Sequence, residues 1–435
     1  MIALVALMAS ATSPVAAQQA QDSAARRAQR SLDSLTAAMR ELQARVDSMA
    51  RNPAPAAAPA PQAAPSGSYM NLSFDGLGHA GWSSVPDVGT IQRGGHDPKV
   101  RGFTVPQAEL ALDGTVDPYL KGFSNIVFFI DENGETKVEL EEMYLLTTSL
   151  PHNLQIKAGQ FFTEFGRQNA QHPHSWAFAD QPLVLNRMFG GDGMRSQGAR
   201  LSWLVPLPVY VEAMFTVANS LGETMRSFRN EESSEIHGGV PVERTVQGAA
   251  DLTYTPRIAA SFDPTDNQAL VFGVSGSFGP NNSGPTGKTS IGGADVYWKW
   301  KSPKARQGFP FVSLQSEVLF RNYNADERTS ASEGGGVLPA QTLKDNGWYA
   351  QLLWGIKPML IAGLRGEQSS GDEDLYASQP PGNRSRISPN ITWHPSEYSR
   401  LRLQYNYGRR PGYKDDHSVW LQYEFLIGSH SAHKF

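Results

Sequence analysis

Three patterns of apolar and polar residues follow one another along this chain. Residues 1–17 contain the only long apolar run. Residues 25–49 then place apolar side chains three and four positions apart, which is the spacing of one face of an α-helix. From Tyr69 onward the apolar positions recur at every second residue, as they do along a half-buried β-strand. The chain is therefore predicted to contain a leader, a helical segment and a body of strands.

The first 17 residues have most features of a secretory signal peptide. Ile2–Met8 is continuously apolar, and Val15–Ala17 precede Gln18 with the small residues of a cleavage site. No basic residue occurs before Arg26, so the usual basic beginning is missing, and the alternative is an Ala-rich tail. No later run approaches the ~20 apolar residues of a membrane helix. Helical membrane spans are excluded, whereas strand-type spans are not.

Residues 18–51 are predicted to form a coiled coil. Their apolar residues follow the a and d positions of a heptad for more than three repeats: Ala25, Ala28, Leu32, Leu35, Met39, Leu42, Val46 and Met49. So narrow a stripe predicts self-association, and the alternative is one amphipathic helix lying on its own domain. Residues 52–68, rich in Pro and Ala, are predicted to be a semi-rigid linker.

The body, residues 69–435, contains sixteen segments with one apolar and one polar face. Residues 400–407, for example, read RLRLQYNY, and adjacent side chains of a strand point to opposite faces. The predicted strands are 70–82, 101–113, 119–131, 136–148, 153–165, 195–205, 208–218, 247–261, 267–279, 288–301, 309–322, 347–356, 359–368, 384–394, 398–408 and 417–428.

The connections between these segments alternate between short and long. Pairs such as Pro151-His152 and Lys357-Pro358 alternate with long stretches such as 166–194 and 219–246. Outer-membrane barrels have short periplasmic turns and long extracellular loops. The predicted fold class is therefore all-β: a 16-stranded antiparallel transmembrane β-barrel preceded by an α-helical coiled-coil segment. A soluble β-sandwich is the weaker alternative, because its strands average about 5–6 residues.

Composition removes several other classes of protein. The chain has 435 residues and no cysteine, which excludes disulfide scaffolds and thiolate metal sites. Lys and Arg number 38 and Asp and Glu number 42, so no basic surplus indicates a nucleic-acid partner.

Parts of the body resemble the phosphate-selective porin O/P family of outer-membrane porins. The resemblance is carried by KVELEEMYL (Lys137–Leu145), LQIKAGQFFTEFGRQ (Leu154–Gln168), FGGDGMRSQGARLSWLVP (Phe189–Pro206), HPSEYSRLRLQYNYGRR (His394–Arg410) and WLQYEFLIGSHSAHKF (Trp420–Phe435). It implies a homotrimer of sixteen-stranded barrels with the third extracellular loop folded into each lumen. Counting strands places residues 166–194 as that loop. Residues 69–435 carry 32 Lys and Arg against 38 Asp and Glu, unlike the basic pores of phosphate-specific members.

The predicted function is passive diffusion of small hydrophilic solutes, with anions such as phosphate as candidates, across the cell outer membrane. Charge at the constriction would set selectivity. The candidate constriction and solute-binding residues are Arg167, Arg187, Arg195, Arg200, Lys157, Arg365 and Arg402. An alternative is that such residues form salt bridges that only brace the loop and the wall. Likewise, Phe161, Trp176, Phe178 and Phe189 either form an apolar track for sugars or pin the loop.

No catalytic motif, cofactor site or metal site is predicted. His172-Pro173-His174 and the pair His430 and His433 offer imidazole ligands, but no acidic ligand accompanies them at helical spacing. The expected partners are solutes or anions, outer-membrane lipid and further copies of the chain, with peptidoglycan as a candidate contact of the periplasmic coiled coil. The alternative functions are an outer-membrane barrel enzyme and a structural tether to the cell wall.

Overall fold

The computed structural model describes residues 70–428 apart from 93, 132, 231–233, 244, 333 and 377–382. The predicted signal peptide (1–17), coiled coil (18–51) and linker (52–68) therefore lie outside the described residues. So does the end of the chain, 429–435, which includes His430 and His433.

Sixteen strands form one closed antiparallel barrel. They are β1 (Met70–Ser83), β2 (Gly102–Asp117), β3 (Leu120–Ile130), β4 (Thr136–Thr147), β5 (Leu154–Phe162), β6 (Arg195–Leu204), β7 (Tyr210–Asn219), β8 (Leu252–Thr265), β9 (Gln268–Pro280), β10 (Lys288–Arg306), β11 (Phe309–Ala325), β14 (Gln341–Lys357), β15 (Leu360–Gly371), β16 (Arg384–Ser396), β17 (Ser399–Arg409) and β18 (Asp416–Gly428). The two-residue strands β12 (Arg328–Thr329) and β13 (Val337–Leu338) form a separate hairpin.

The barrel closes because its first and last strands pair with each other. β1 pairs with β18 from Ser73 opposite Gly428 to Ser83 opposite Ser418. β1 also pairs with β2 along its other edge. Every strand of the barrel therefore has two neighbours, and no sheet edge is left without backbone partners. The all-β class, the count of sixteen and the antiparallel closure predicted from the sequence are confirmed.

The strands extend beyond the segments that alternation marks. β14 begins at Gln341 rather than at 347, and β10 ends at Arg306 rather than at 301. Beyond the apolar band, apolar and polar residues alternate less clearly along these strands, but the backbones stay paired, as Tyr323 is with Leu343. Pairing depends on backbone groups, so it continues where neither face is apolar.

The distribution of side chains is the reverse of that in a soluble domain. Phe272, Val274 and Leu352 point outward and are 45%, 65% and 44% exposed. Glu317 and Arg365 point into the lumen and are 1% exposed. An apolar exterior around a polar interior is the arrangement of a barrel surrounded by lipid.

Helices are short and lie between strands. They are α1 (Leu183–Phe189), α2 (Ser234–His237) and the 3₁₀ turns Val88–Thr90, Pro151–Asn153, Pro173–Ser175, Ala249–Asp251 and Asp372–Leu375. In the part of the chain that the structure describes, no helix combines the length and apolar character needed to cross a membrane.

Candidate functional site: the lumen and its third loop

The connection between β5 and β6, here called L3 (residues 163–194), is closed at its base by hydrogen bonds. The N–H of Thr163 donates to the carbonyl of Met194 at 2.9 Å. The Asn169 amide donates to the carbonyls of both residues, at 2.8 and 3.0 Å, and its oxygen accepts the N–H of Met194 at 2.8 Å. One side chain thus joins the two ends of the loop.

L3 turns into the lumen at a glycine. Gly166 has φ +62°, and a Cβ atom there would lie 1.9 Å from Oε2 of Glu317 on β11. Only glycine adopts this conformation readily and also permits so close an approach. The N–H groups of Arg167 and Gln168 then donate to Oε1 of Glu317, at 3.1 and 2.7 Å.

L3 crosses the lumen and contacts strands on several sides of it. Backbone N–H groups donate from Gly166 to Ser275 on β9, from Gln168 to Glu317 on β11, from Ala179 to Gln404 on β17 and from Leu183 to Glu367 on β15. Across the barrel, imidazole nitrogens of His172 and His174 lie 2.9 Å and 3.1 Å from carboxylates on β4 and β2. The loop therefore spans the interior.

Asp180 of L3 holds the loop to three neighbouring wall strands. It forms ion pairs with Arg365 on β15 and Arg386 on β16, and it accepts hydrogen bonds from Gln404 and Asn406 on β17. Burial by itself would raise the pKa of Asp180, but the two guanidinium groups outweigh burial and hold the pKa below its ordinary value. The carboxylate therefore stays ionised at this position.

A second charged cluster fixes the far end of L3. Arg187 donates to Asp345 on β14 at 2.6 Å and to Asp374 at 2.8 Å. Arg321 on β11 donates to the other oxygen of Asp345 at 2.7 Å and also pairs with Glu373. Both guanidinium groups of this cluster contact carboxylates, so Arg187 holds L3 against the wall.

An apolar cluster lies inside the barrel between L3, the connection after β7 and the wall. Its members are Phe165, Val184, Leu185, Met188, Phe189, Met194, Met225, Phe228, Ile291, Leu319 and Tyr349. Phe161, Phe178 and Phe189 are each 1% exposed and Trp176 is 6% exposed. These four aromatic side chains are covered, which favours the interpretation that they pin the loop.

The seven candidate pore residues all point into the interior, but they differ in exposure. Arg187, Arg195, Arg200, Arg365 and Arg402 are 1–8% exposed. Arg195 pairs with Glu139, and Arg402 donates to the carbonyl of Trp176 at 2.7 Å. Only Lys157 and Arg167 of the seven are half-buried and open to the lumen.

Four cations of the lumen have few carboxylate partners. Lys157 and Arg200, adjacent on β5 and β6, share the single carboxylate of Glu164. Arg167 lies over the ring of Tyr297 at 4.0 Å, and Lys299 lies over another aromatic ring at 4.7 Å. Among the described residues, no carboxylate lies within ion-pair distance of Arg167 or Lys299. Strand alternation in the sequence places Lys299 on the lumen face, although it is not among the seven candidate constriction residues.

His172 lies in a nest of carboxylates that helical spacing could not reveal. Its ring nitrogens are 2.9 Å from Glu141 and 2.9 Å from Glu142, while Glu109 on β2 is 3.7 Å away. Burial alone would lower the pKa of His172, but Glu109 and Glu141 outweigh it and hold this pKa well above its ordinary value. The three carboxylates therefore favour a positive charge at this position. Its acidic members come from strands far from His172 in sequence.

Comparison with known structures supports the fold. The outer-membrane channel DcaP of Acinetobacter baumannii superposes with a TM-score of 0.50 at 14% identity, over 82% of this chain and 97% of that one. The anion-selective porin from Comamonas acidovorans gives 0.49 at 8% identity, over 82% and 98%. The likeness to DcaP establishes a shared barrel fold.

Comparison of sequences identifies a relative. No protein-family model matches the chain. An uncharacterized protein of Aquifex aeolicus (strain VF5) is 32% identical over 364 residues, covering 79% of this chain and 73% of the relative. At that identity and coverage, the chain belongs to the same protein family as the Aquifex aeolicus protein.

Proposed function

We propose that this protein is an outer-membrane porin that lets small hydrophilic solutes diffuse passively through a lumen narrowed by L3. The single observation that carries the proposal is the closed sixteen-stranded barrel with apolar residues outside and charged residues inside. A barrel of this size is wide enough for an aqueous channel. L3, crossing from β2 and β4 to β17, would set its narrowest section.

The proposed solutes are small anions. Lys157, Arg167 and Lys299 are half-buried cations of the lumen, and among the described residues no carboxylate lies within ion-pair distance of Arg167 or Lys299. A positive surface in a narrow pore raises the local concentration of anions. Phosphate stays a candidate among these anions. The buried arginines among the seven candidate residues would contribute mainly by holding L3 in place.

The shape of the outer surface over β2–β6 supports the proposal that the protein forms a homotrimer. A groove of about 870 Å³ is lined there by residues that include Val116, Met143 and Ala158. Near it, Gln197 donates to Gln160 at 2.7 Å on the outward face, so amide groups interrupt the apolar band. Amides and a concave apolar surface suit contact with protein better than contact with lipid. We propose that a second copy of the chain covers this surface.

The N-terminal segments complete the proposal. We propose that residues 1–17 direct export and that residues 18–51 form a periplasmic coiled coil joined to the barrel by 52–68. The heptad spacing supports self-association of that coil. Peptidoglycan contact stays a prediction, and cross-linking to purified cell-wall sacculi with and without residues 18–68 would test it.

Planar lipid bilayers test the transport function directly. Purified protein is expected to produce discrete conductance steps and, across a KCl gradient, a reversal potential that indicates anion preference. One charge about 6 Å from a passing ion contributes about 0.7 kcal/mol in water. Removing it weakens the attraction for an anion and the repulsion of a cation by this amount each, so Lys299→Gln should lower the anion-to-cation permeability ratio about tenfold.

The matched control is Lys357→Gln, because Lys357 is exposed at the last residue of β14, beside the short connection to β15. It should leave the reversal potential unchanged. Absence of conductance steps from correctly folded protein would refute the porin assignment. An equal reversal potential in Lys299→Gln and wild type would refute only the anion-selective role of this lysine.

A further inference from the structure

A cluster of carboxylates and imidazoles lies where L3 meets the barrel wall. Glu109 comes from β2, Glu141 and Glu142 from β4, and His172 and His174 from L3. One ligand atom each from Glu109, Glu141 and His172 can be chosen so that all three lie within 4.8 Å of one another. Glu109 is 2% exposed and Glu141 is 1% exposed, so the cluster is shielded from bulk water.

The His172 ring is oriented by a carboxylate on one side. Its Nε2 atom lies 2.9 Å from Oε2 of Glu142, an acceptor that fixes the proton on Nε2 in the neutral ring. Nδ1 then faces Glu141 Oε2 at 2.9 Å and Glu109 Oε2 at 3.7 Å, with the Asn125 amide nitrogen at 3.0 Å. A carboxylate behind an imidazole is the usual support of a metal-binding histidine.

His96 supplies an independent indication that a ligand is missing from these contacts. Its Nδ1 lies 3.2 Å from the carbonyl of Pro106, which can only accept, so Nδ1 carries the proton. In the neutral ring Nε2 therefore presents a lone pair toward Glu141 Oε1, 3.7 Å away. Neither atom has a hydrogen-bond partner, and His96 is 94% buried, being 6% exposed. Two buried lone pairs that face each other repel unless a proton or a metal ion lies between them.

We propose that Glu109, Glu141 and His172 form a binding site for a divalent transition-metal ion of the zinc type, with His96 facing the other oxygen of Glu141. Zinc bonds of about 2.0–2.2 Å place donor atoms of a tetrahedral site about 3.3–3.6 Å apart. The present separations of His172 Nδ1 from Glu141 Oε2 (2.9 Å) and from Glu109 Oε2 (3.7 Å) bracket that value. Mixed imidazole and carboxylate donors select zinc-type ions over magnesium or calcium, which take oxygen ligands.

The surrounding residues support the same assignment. Gln107 donates to Glu109 at 2.6 Å and Asn125 donates to Glu141 at 2.7 Å, so each proposed carboxylate ligand is positioned by an amide. The competing cation is Arg195, whose NH1 is 3.7 Å from Glu141, but its NH2 is paired with Glu139. His174 lies 3.1 Å from Glu109 and offers a further imidazole beside the site.

A metal ion here would join L3 to β2 and β4. Its binding does not depend on solute conduction. The site therefore predicts metal-dependent stability of L3 even if the barrel were closed to solutes.

Binding is tested on the folded full-length protein in detergent, stripped with chelator and titrated with ZnCl₂ against a chromophoric competitor. We expect one high-affinity zinc per chain. Glu141→Gln and His172→Asn should each weaken it at least about 100-fold, because loss even of a supporting residue costs 10–100-fold. Anomalous scattering at the zinc edge should place the ion between Glu141 and His172.

Two controls separate this site from other histidines. His417→Asn removes an exposed imidazole at the rim, and the double variant His430→Asn/His433→Asn removes the pair near the chain end. Both should bind zinc as wild type does. Absence of zinc binding by the wild-type protein would overturn the proposal. So would binding that survives in both site variants, once heat-modified migration on gels shows that they fold.

Discussion

At the scale of single residues, most buried charges of the lumen are paired with charges on other strands. Asp180 shows the arrangement, because its carboxylate receives two guanidinium groups and two side-chain amides from three strands. Strand parity predicted that Arg365 points inward. It could not predict the partner, since Asp180 lies on a loop 185 residues away in sequence.

Asp180→Asn should destabilise the barrel. The substitution leaves Arg365 and Arg386 buried without their shared carboxylate, and breaking a buried pair costs about 3–5 kcal/mol. We expect a lower midpoint of heat-induced migration change on gels. Asp415→Asn is the control, because Asp415 is 41% exposed and its pair with Arg409 is long at 3.8 Å. Equal midpoints for both variants would contradict the role of Asp180.

His237, at the end of α2, should make its loop sensitive to acid. Its Nδ1 accepts the N–H of Gly239, and burial followed by the charge of Arg328 lowers its pKa to about 4. The unfolded value is about 6.5, so the stabilisation is complete above pH 6.5 and is lost as pH falls toward 4. Hydrogen exchange of residues 234–240, corrected for intrinsic rates, should quicken at pH 5 relative to pH 7.

The control for this prediction is His237→Asn, which keeps an acceptor near Gly239 but does not titrate in this range. Its corrected exchange should be the same at both pH values. Similar pH dependence in this variant would assign the effect to a group other than His237.

At the scale of elements, L3 depends on a small number of residues at its base. The sequence predicted the loop at residues 166–194, from its length and its place between the fifth and sixth strands. The structure adds the contacts of Asn169 with Thr163 and Met194, which join the two ends. The contacts with Thr163 and Met194 span 6 and 25 residues of the sequence, so strand periodicity carries no signal for them.

Asn169→Ala should loosen L3 without opening the barrel. It removes three hydrogen bonds and leaves buried carbonyls with fewer donors, at a cost of about 1–3 kcal/mol. Limited proteolysis should cut within residues 166–194 faster than in wild type. Asn322→Ala is the control, because Asn322 is an exposed residue of β11, and this variant should not change the cleavage rate. Unchanged cleavage in Asn169→Ala would show that the wall contacts alone hold the loop.

At the scale of the whole molecule, the outer surface is not uniform. The groove over β2–β6 contrasts with the outward face of β14, where Leu352 and Trp354 lie in the apolar band. We expect the surface interrupted by amides to be the one used for association, because polar groups are costly against lipid. The sequence predicted a trimer only through family resemblance, because alternation treats every outward residue alike.

Photo-cross-linking tests which surface associates. A photoreactive amino acid replacing Met143, which is 59% exposed beside the groove, should yield covalent dimers and trimers in the native membrane. The same probe replacing Leu352, which is 44% exposed on β14, should give only monomers. Cross-links from position 352 alone would place the interface on the opposite wall.

The sequence by itself determined the sixteen strands, their antiparallel order and the face that each side chain takes, because these follow from a period of two and from the lengths of the connections. Only the tertiary structure decided which inward charges pair, that aromatic side chains of L3 are covered, and that Glu109, Glu141 and His172 meet. The physical reason is closure. Curving the sheet brings distant strands and a folded loop into one interior, and no local pattern records which of them become neighbours.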